Sequence, residues 1–238
     1  MDTKILLILS LAPAIFWLWY FYTRDRYEPE PIPWIVTVYL MGILVTIPAA
    51  LVEGIIGLLV TDFLIAVAVA PIVEEYAKFF VVKNTVYRTR EFDEPIDGIV
   101  YAAAVGLGFA TLENVIYVFS SFETSFLFAV QTSVVRALIS VPGHVLFSAM
   151  WGFALGQARF AFGAARDGVV RRGLFMAMLS HALFNFLLFW NLGFAVLVLV
   201  IVPLFWWLIT KNIAISLDQS PFKDRKSTRL NSSHRIRS

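Results

Sequence analysis

Glu74 and Glu75 are adjacent carboxylates, followed at i+4 and i+3 by the ammonium of Lys78 in the run Pro71-Ile72-Val73-Glu74-Glu75-Tyr76-Ala77-Lys78. Apolar residues from Phe63 to Ala70 precede the run and Phe79-Phe80-Val81-Val82 follow it. Two acids and a base thus interrupt a stretch otherwise fit to cross a bilayer. On a helix the lysine reaches either acid. A charge near the bilayer centre costs about 2.5–3.5 kcal/mol on insertion scales, a cost that persists where the group works in a wet, protein-lined cavity. Two acids against one base leave a carboxylate unbalanced for proton chemistry. The competing reading is a buried ion pair that only fixes helix packing.

Four more polar groups stand in apolar surroundings: Glu113 in Phe109-Ala110-Thr111-Leu112-Glu113-Asn114, His144 in Val141-Pro142-Gly143-His144, and His181 with Asn185 in His181-Ala182-Leu183-Phe184-Asn185. His181 and Asn185 are four apart, hence on one helix face. Singly, each has a reading as a satisfied buried group. Together they are the components of hydrolysis. A carboxylate activates water, a second acid or histidine passes a proton to the leaving amine, and a His–Asn pair donates to an oxyanion. Neither Gly-x-Ser-x-Gly nor His-Glu-x-x-His occurs. With no cysteine, disulfides, thiolate metal sites and a cysteine nucleophile are excluded.

These residues need helices to hold them. The chain is 59% apolar and 15% charged, with mean hydropathy +0.77, against about 25% charged for a soluble domain. The expectation is an all-α, polytopic membrane bundle in the cell membrane. Its spans are expected at Ile5–Tyr22, Trp34–Val60, Phe63–Val82, Ile96–Phe119, from Pro142 to about Gly163, Leu174–Trp190 and Phe194–Ile209. Arg24 to Pro33 reads as a loop, since its three prolines disfavour helix. Pro71 is expected to bend the third span, and Asp97 to cap the fourth. Gly98, Ala102, Gly106 and Ala110 form a small-residue stripe for close helix packing. Glu53 reads equally as functional or interfacial. Ser125–Ile139, short and polar, is expected as a re-entrant or interfacial helix. Seven crossings then put Arg24/Arg26, Lys83/Arg88/Arg90, Arg159–Arg172 and Lys211 on one side, cytoplasmic by the positive-inside rule, with the N-terminus outside. Eight spans are the alternative.

Asp224–Ser238 resembles the in-frame translation of a sequencing-library adapter and is set apart; the native C-terminus is then expected outside this sequence. The tail carries five Lys/Arg and one Asp, so the net charge of +2 falls to −2 without it. The basic isoelectric point therefore gives no argument for a nucleic-acid partner. Residues 1–212 are expected as one domain, with 213–223 a cytoplasmic tail.

Glu74-Glu75-Tyr76-Ala77-Lys78 is similar to the Glu-Glu-x-x-Lys motif of the PrsW family of intramembrane proteases, and Phe109 through Glu113 to its Phe-x-x-x-Glu. Asp97-Gly98, Gly106–Asn114, Tyr27-Glu28-Pro29-Glu30-Pro31 and Arg136 through His144 resemble further segments of that family. His181 through Asn185 resembles the His-x-x-x-Asn of the wider CPBP-like superfamily, which includes the CAAX prenyl endopeptidases; those enzymes carry histidine where Glu113 stands. The resemblance implies cleavage of a membrane-anchored protein, such as an anti-sigma factor in a regulatory cascade. It implies catalytic roles for Glu74, Glu75, Glu113, His144, His181 and Asn185, supported by Lys78 and Asn114. A metal-free mechanism is expected. The alternative is zinc held by Glu74, Glu113, His144 and His181. Two other function classes stay open: a proton- or cation-coupled transporter, and a scaffold whose charges only lock helices.

Overall fold

The computed structural model describes residues 2–160 and 166–224. Among them all regular structure is helical, in seven helices: α1 (Asp2–Tyr22), α2 (Ile32–Gly57), α3 (residues 62–85), α4 (Asp97–Phe122), α5 (Phe126–Phe160), α6 (Arg166–Leu188) and α7 (Gly193–Asp218). Five of them, α1, α2, α4, α5 and α7, are long and apolar enough to cross a membrane. The other two fall short because of what they carry: Glu74, Glu75 and Lys78 in α3, and Arg166, Arg171 and Arg172 with His181 and Asn185 in α6. Large apolar side chains such as Ile8, Trp19, Leu51, Ile55 and Leu199 face outward, as lipid-facing helices require.

Several expectations are corrected. Ser125–Ile139 is not a separate re-entrant helix; it is the first part of the 35-residue α5, started by Ser125, whose Oγ accepts from the Phe128 amide at 3.1 Å. No eighth helix occurs among the described residues. Pro33 sits in the first turn of α2, where a missing N–H costs nothing. Arg166, Arg171 and Arg172 lie in α6 rather than in a loop. The expected end of the α5 span at Gly163, and the adapter-like tail after Asp224, lie outside the described residues. Asp97 does not cap α4. It is that helix's first residue, and its Oδ2 accepts the preceding amides of Asp93 and Glu94, at 2.7 and 2.8 Å.

Proline is accommodated by one device used three times. Pro71, Pro142 and Pro203 each follow a π-helical turn: Ile65–Val69, Arg136–Ser140 and Leu197–Ile201. In each, the residue before the proline donates to the carbonyl five residues back: Ala70 to Ile65, Val141 to Arg136, Val202 to Leu197. The next bond in that register would need the absent proline N–H. For Pro71 this leaves the Ala66 carbonyl, which accepts Asn185 Nδ2 at 2.8 Å. For Pro142 it leaves the Ala137 carbonyl, which accepts Trp17 Nε1 at 3.2 Å. A carbonyl without a partner in lipid costs several kcal/mol, so these side chains let α3 and α5 continue through their prolines.

Helix α4 is the axis of the bundle, buried almost throughout from Asp97 to Thr111. Its small-residue stripe lies against α5: a Cβ on Gly98 would stand 2.1 Å from the Gly152 carbonyl oxygen. Its opposite face meets α2 equally closely, since a Cβ on Gly108 would stand 2.0 Å from the Tyr39 oxygen. Gly106 rests against the backbone of His144, and Glu113 follows on that face two turns later. The close α4–α5 approach thus brings acid and imidazole together. Replacing Gly98 with Val should lower stability in detergent by about 1–3 kcal/mol or more, read as a fall in the thermal midpoint. Gly54→Ala, where a Cβ meets nothing within 4 Å, should not lower it.

Candidate active site

Lys78 organises the site from α3. Its fully buried ammonium donates to Glu75 Oε1 at 2.9 Å and Glu74 Oε2 at 3.2 Å, and lies 3.0 Å from His144 Nδ1 on α5. The Phe109 ring of α4 closes its remaining side at 4.3 Å. With the ammonium donating, the hydrogen-bond network assigns the His144 proton to Nε2. There it points at Glu113 Oε2, 2.9 Å away.

The two adjacent glutamates are not equivalent. Glu75 is wholly enclosed. Lys78 holds Oε1, with His181 Nδ1 at 3.3 Å, while Ser148 Oγ and Trp151 Nε1 donate to Oε2 at 2.9 and 3.0 Å. Glu74 is approached by Lys78 and His144 through Oε2 alone, and it lines a cavity of about 300 Å³ together with Glu113, His144, His181 and Asn185. Asn185 spends one amide N–H on Ala66. The His181 ring stacks on Phe147 at 4.7 Å. Every site residue named from the sequence therefore lies in or beside one site, with Asn114 one step back. Asn114 donates to the Ser10 carbonyl at 2.7 Å and accepts Arg136 Nε at 3.0 Å.

Arg136 is the residue that sequence reasoning left out of the site. It donates to Glu113 Oε2 at 3.1 Å and lies over the Tyr117 ring at 4.1 Å. The available signal was its isolation, since no other Asp, Glu, Lys or Arg occurs between Glu123 and Arg159. Ser148 and Trp151 were also missed, although they stand four and seven residues after His144 on the same face. Glu53, open in the sequence between a functional and an interfacial reading, borders the site. It lines the main cavity, and with Glu74, Glu113 and Tyr117 it lines a smaller recess of about 170 Å³; its buried Oε1 has no hydrogen-bond partner.

Glu74, Glu113 and His144 offer ligand atoms all within 4.8 Å of one another. Two carboxylates and an imidazole are the donor types of a catalytic zinc site that keeps an open position, so these residues fit such an ion in type and spacing. His181 is outside this group and faces Glu75 instead.

Carboxylates, imidazoles and a polar cavity enclosed among lipid-facing helices define an intramembrane hydrolase. The chain belongs to the PrsW family: the profile described as PrsW family intramembrane metalloprotease matches residues 30–208. Among curated relatives, Protease PrsW of Geobacillus kaustophilus is 41% identical over 155 residues, covering 64% of this chain and 66% of the relative. Protease PrsW of Bacillus subtilis is 32% identical over 201 residues, covering 83% and 89%, and that of Clostridioides difficile 28% over 218 residues, covering 86% and 87%. No solved structure matches the chain. Family membership makes it a membrane endopeptidase and sets aside the transporter and scaffold readings.

Removing the central cation should be costly, because it leaves buried carboxylates uncompensated. Lys78→Met should lose about 3–5 kcal/mol of stability, measured by thermal or denaturant unfolding in detergent. Adding Glu75→Leu to that variant should restore part of the loss.

Proposed function

We propose that the chain cleaves a peptide bond of a membrane-anchored protein, in or near the membrane, with water activated at the Glu74–His144–Glu113 cluster. The observation that carries this is the cavity-facing Glu74 beside an imidazole whose two nitrogens are held by Lys78 and Glu113. Glu74 acts as general base on the water. Peptide-bond cleavage then requires a proton at the leaving nitrogen, and Glu74 passes on the one it has taken from water, with the Glu113–His144 pair beside it holding the reacting groups in line. Arg136 holds Glu113 in place. Glu75 takes a positioning role, since Lys78, Ser148 and Trp151 all donate to it. His181 and the second amide N–H of Asn185 donate to the oxyanion. If a zinc-class ion is carried, Glu74, Glu113 and His144 would hold it, and it would polarise the scissile carbonyl and acidify water.

An anti-sigma factor is the substrate type we propose, on the family resemblance. The His181–Asn185 likeness supports kinship with the CPBP-like superfamily; both residues line the cavity. Residues 1–212 are proposed as the protease domain, 213–223 as a cytoplasmic tail and 224–238 as adapter-derived. We also propose seven crossings, N-terminus outside and C-terminus cytoplasmic. Support comes from the two ends of the bundle. Gln157 meets Gln219 at 2.7 Å and Arg159 meets the Thr89 carbonyl at 3.4 Å at one end. At the other, Ser133 meets the Leu9 carbonyl at 3.0 Å and Phe63 packs on Phe189.

Two measurements test this. New protein N-termini in membranes should appear with the intact chain and fall about 100-fold or more with Glu74→Gln or Glu113→Gln at equal folded protein; identical termini in both would remove the proposed chemistry. The natural absence of cysteine permits single-cysteine labelling. Cysteine at Thr61 or Thr124 should react with an impermeant reagent from outside, and cysteine at Arg90 only after the membrane is opened. The reverse pattern would invert the topology.

A further inference from the structure

At the opposite end of the bundle from the catalytic cluster, four carboxylates are buried together. Asp25 and Glu30 come from the α1–α2 loop, Glu94 from the α3–α4 loop and Asp97 from the start of α4. All are at most 4% exposed. Ligand oxygens of Asp25, Glu94 and Asp97 lie within 4.8 Å of one another, and Asp97 in turn adjoins Glu30.

Within the cluster the acids face one another, Asp25 against Glu94 and Glu30 against Asp97, with Ser220 beside Glu94; donors from elsewhere satisfy only some of their oxygens. Asp97 spends Oδ2 on two backbone amides, leaving Oδ1 without a partner. Glu30 spends Oε2 on the Tyr101 hydroxyl, leaving Oε1. Asp25 and Glu94 have no hydrogen-bond partner on either oxygen. The amides of Tyr27, Glu28 and Glu30 lie near Asp25, but none makes a well-directed bond to it. Six buried carboxylate oxygens are thus unpartnered, and no ion pair reaches these four acids among the described residues. A buried polar group without a partner is costly, and a buried charge more so. Burial, reinforced by neighbouring carboxylates, pushes Glu30 and Glu94 up to about 8.

We propose that Asp25, Glu30, Glu94 and Asp97 bind a hard divalent cation of the calcium or magnesium class, tying the α1–α2 loop to the α3–α4 loop and the head of α4. Oxygen-only donors select such ions over zinc or copper. Six oxygens with no imidazole match the coordination of calcium, which takes 6–8 oxygens at about 2.3–2.6 Å. Magnesium, which keeps several waters, would use fewer of them. The site shares no residue with the catalytic cluster and does not depend on the proposed mechanism.

The test uses the full chain in detergent, washed with chelator and carrying Glu74→Gln/Glu113→Gln, so that the catalytic cluster cannot answer for it. Calcium and magnesium are titrated in separate arms, with thermal midpoint as one readout and terbium luminescence sensitised by Tyr101 as the other. Saturable stabilisation by either ion, weakened about tenfold or more by Asp25→Asn or Glu94→Gln, supports the site, and the arm that saturates names the ion. Should either variant not fold, Glu30→Gln and metal analysis of the unaltered protein carry the same decision. No saturable response, or one unchanged in the variants, would show that the acids only share protons and would overturn the proposal.

Discussion

The buried ammonium of Lys78 is the constraint on which the rest of the site depends. It touches two acids of its own helix, an imidazole of α5 and an aromatic face of α4. A charge held away from water is tolerated when it is paired and hydrogen-bonded, and here the pairing draws three helices to one point. The consequences run outward in order. Lys78 fixes which His144 nitrogen carries the proton, that proton engages Glu113, and Glu113 engages Arg136 and, through it, Asn114 and α1. The cluster is one connected hydrogen-bonded network bordered by the main cavity and the smaller recess.

The proline devices serve the same network. Both α3 and α5 pass a proline just before delivering their site residues, at Pro71 before Glu74 and at Pro142 before His144. A π turn lets each helix continue but strands a carbonyl, and the stranded carbonyls are met by Asn185 of α6 and Trp17 of α1. The repair therefore ties the site-bearing helices to their neighbours at the level of the cavity. π turns are frequent at functional sites, and here the reason is local: the backbone polar groups freed by proline need side chains from across the bundle.

Much of this was legible in the sequence, because charge in an apolar span is a strong signal. Glu74, Glu75, Lys78, Glu113, His144, His181 and Asn185 stood out for that reason and do converge. Arg136 did not stand out in the same way, because its segment looked too short and polar to be part of a spanning helix. That misreading had a physical origin. Pro142 argues for a helix start, and nothing in the sequence announces that a π turn and Trp17 let the helix run through. The different surroundings of Glu74 and Glu75 were equally hidden. They follow from Ser148 and Trp151, ordinary residues on another helix. The glycine stripe toward α5 was readable as a repeat of four, whereas Gly108 against Tyr39 belongs to no repeat.

The shape of an α-helix bears on what can be cut. One turn of α-helix with its side chains, roughly 10–12 Å across and 5.4 Å long, fills on the order of 400–600 Å³. Inside such a turn each peptide carbonyl already accepts an amide four residues on, and side chains wrap the backbone. Glu74 lines the main cavity from among helices, so on the mechanism proposed above a transmembrane substrate gives up helical hydrogen bonds locally before a carbonyl is open to water there. Glycine, proline and other weak helix formers in the substrate lower that cost. Selection then rests on how readily the target segment unwinds as well as on which side chains it carries.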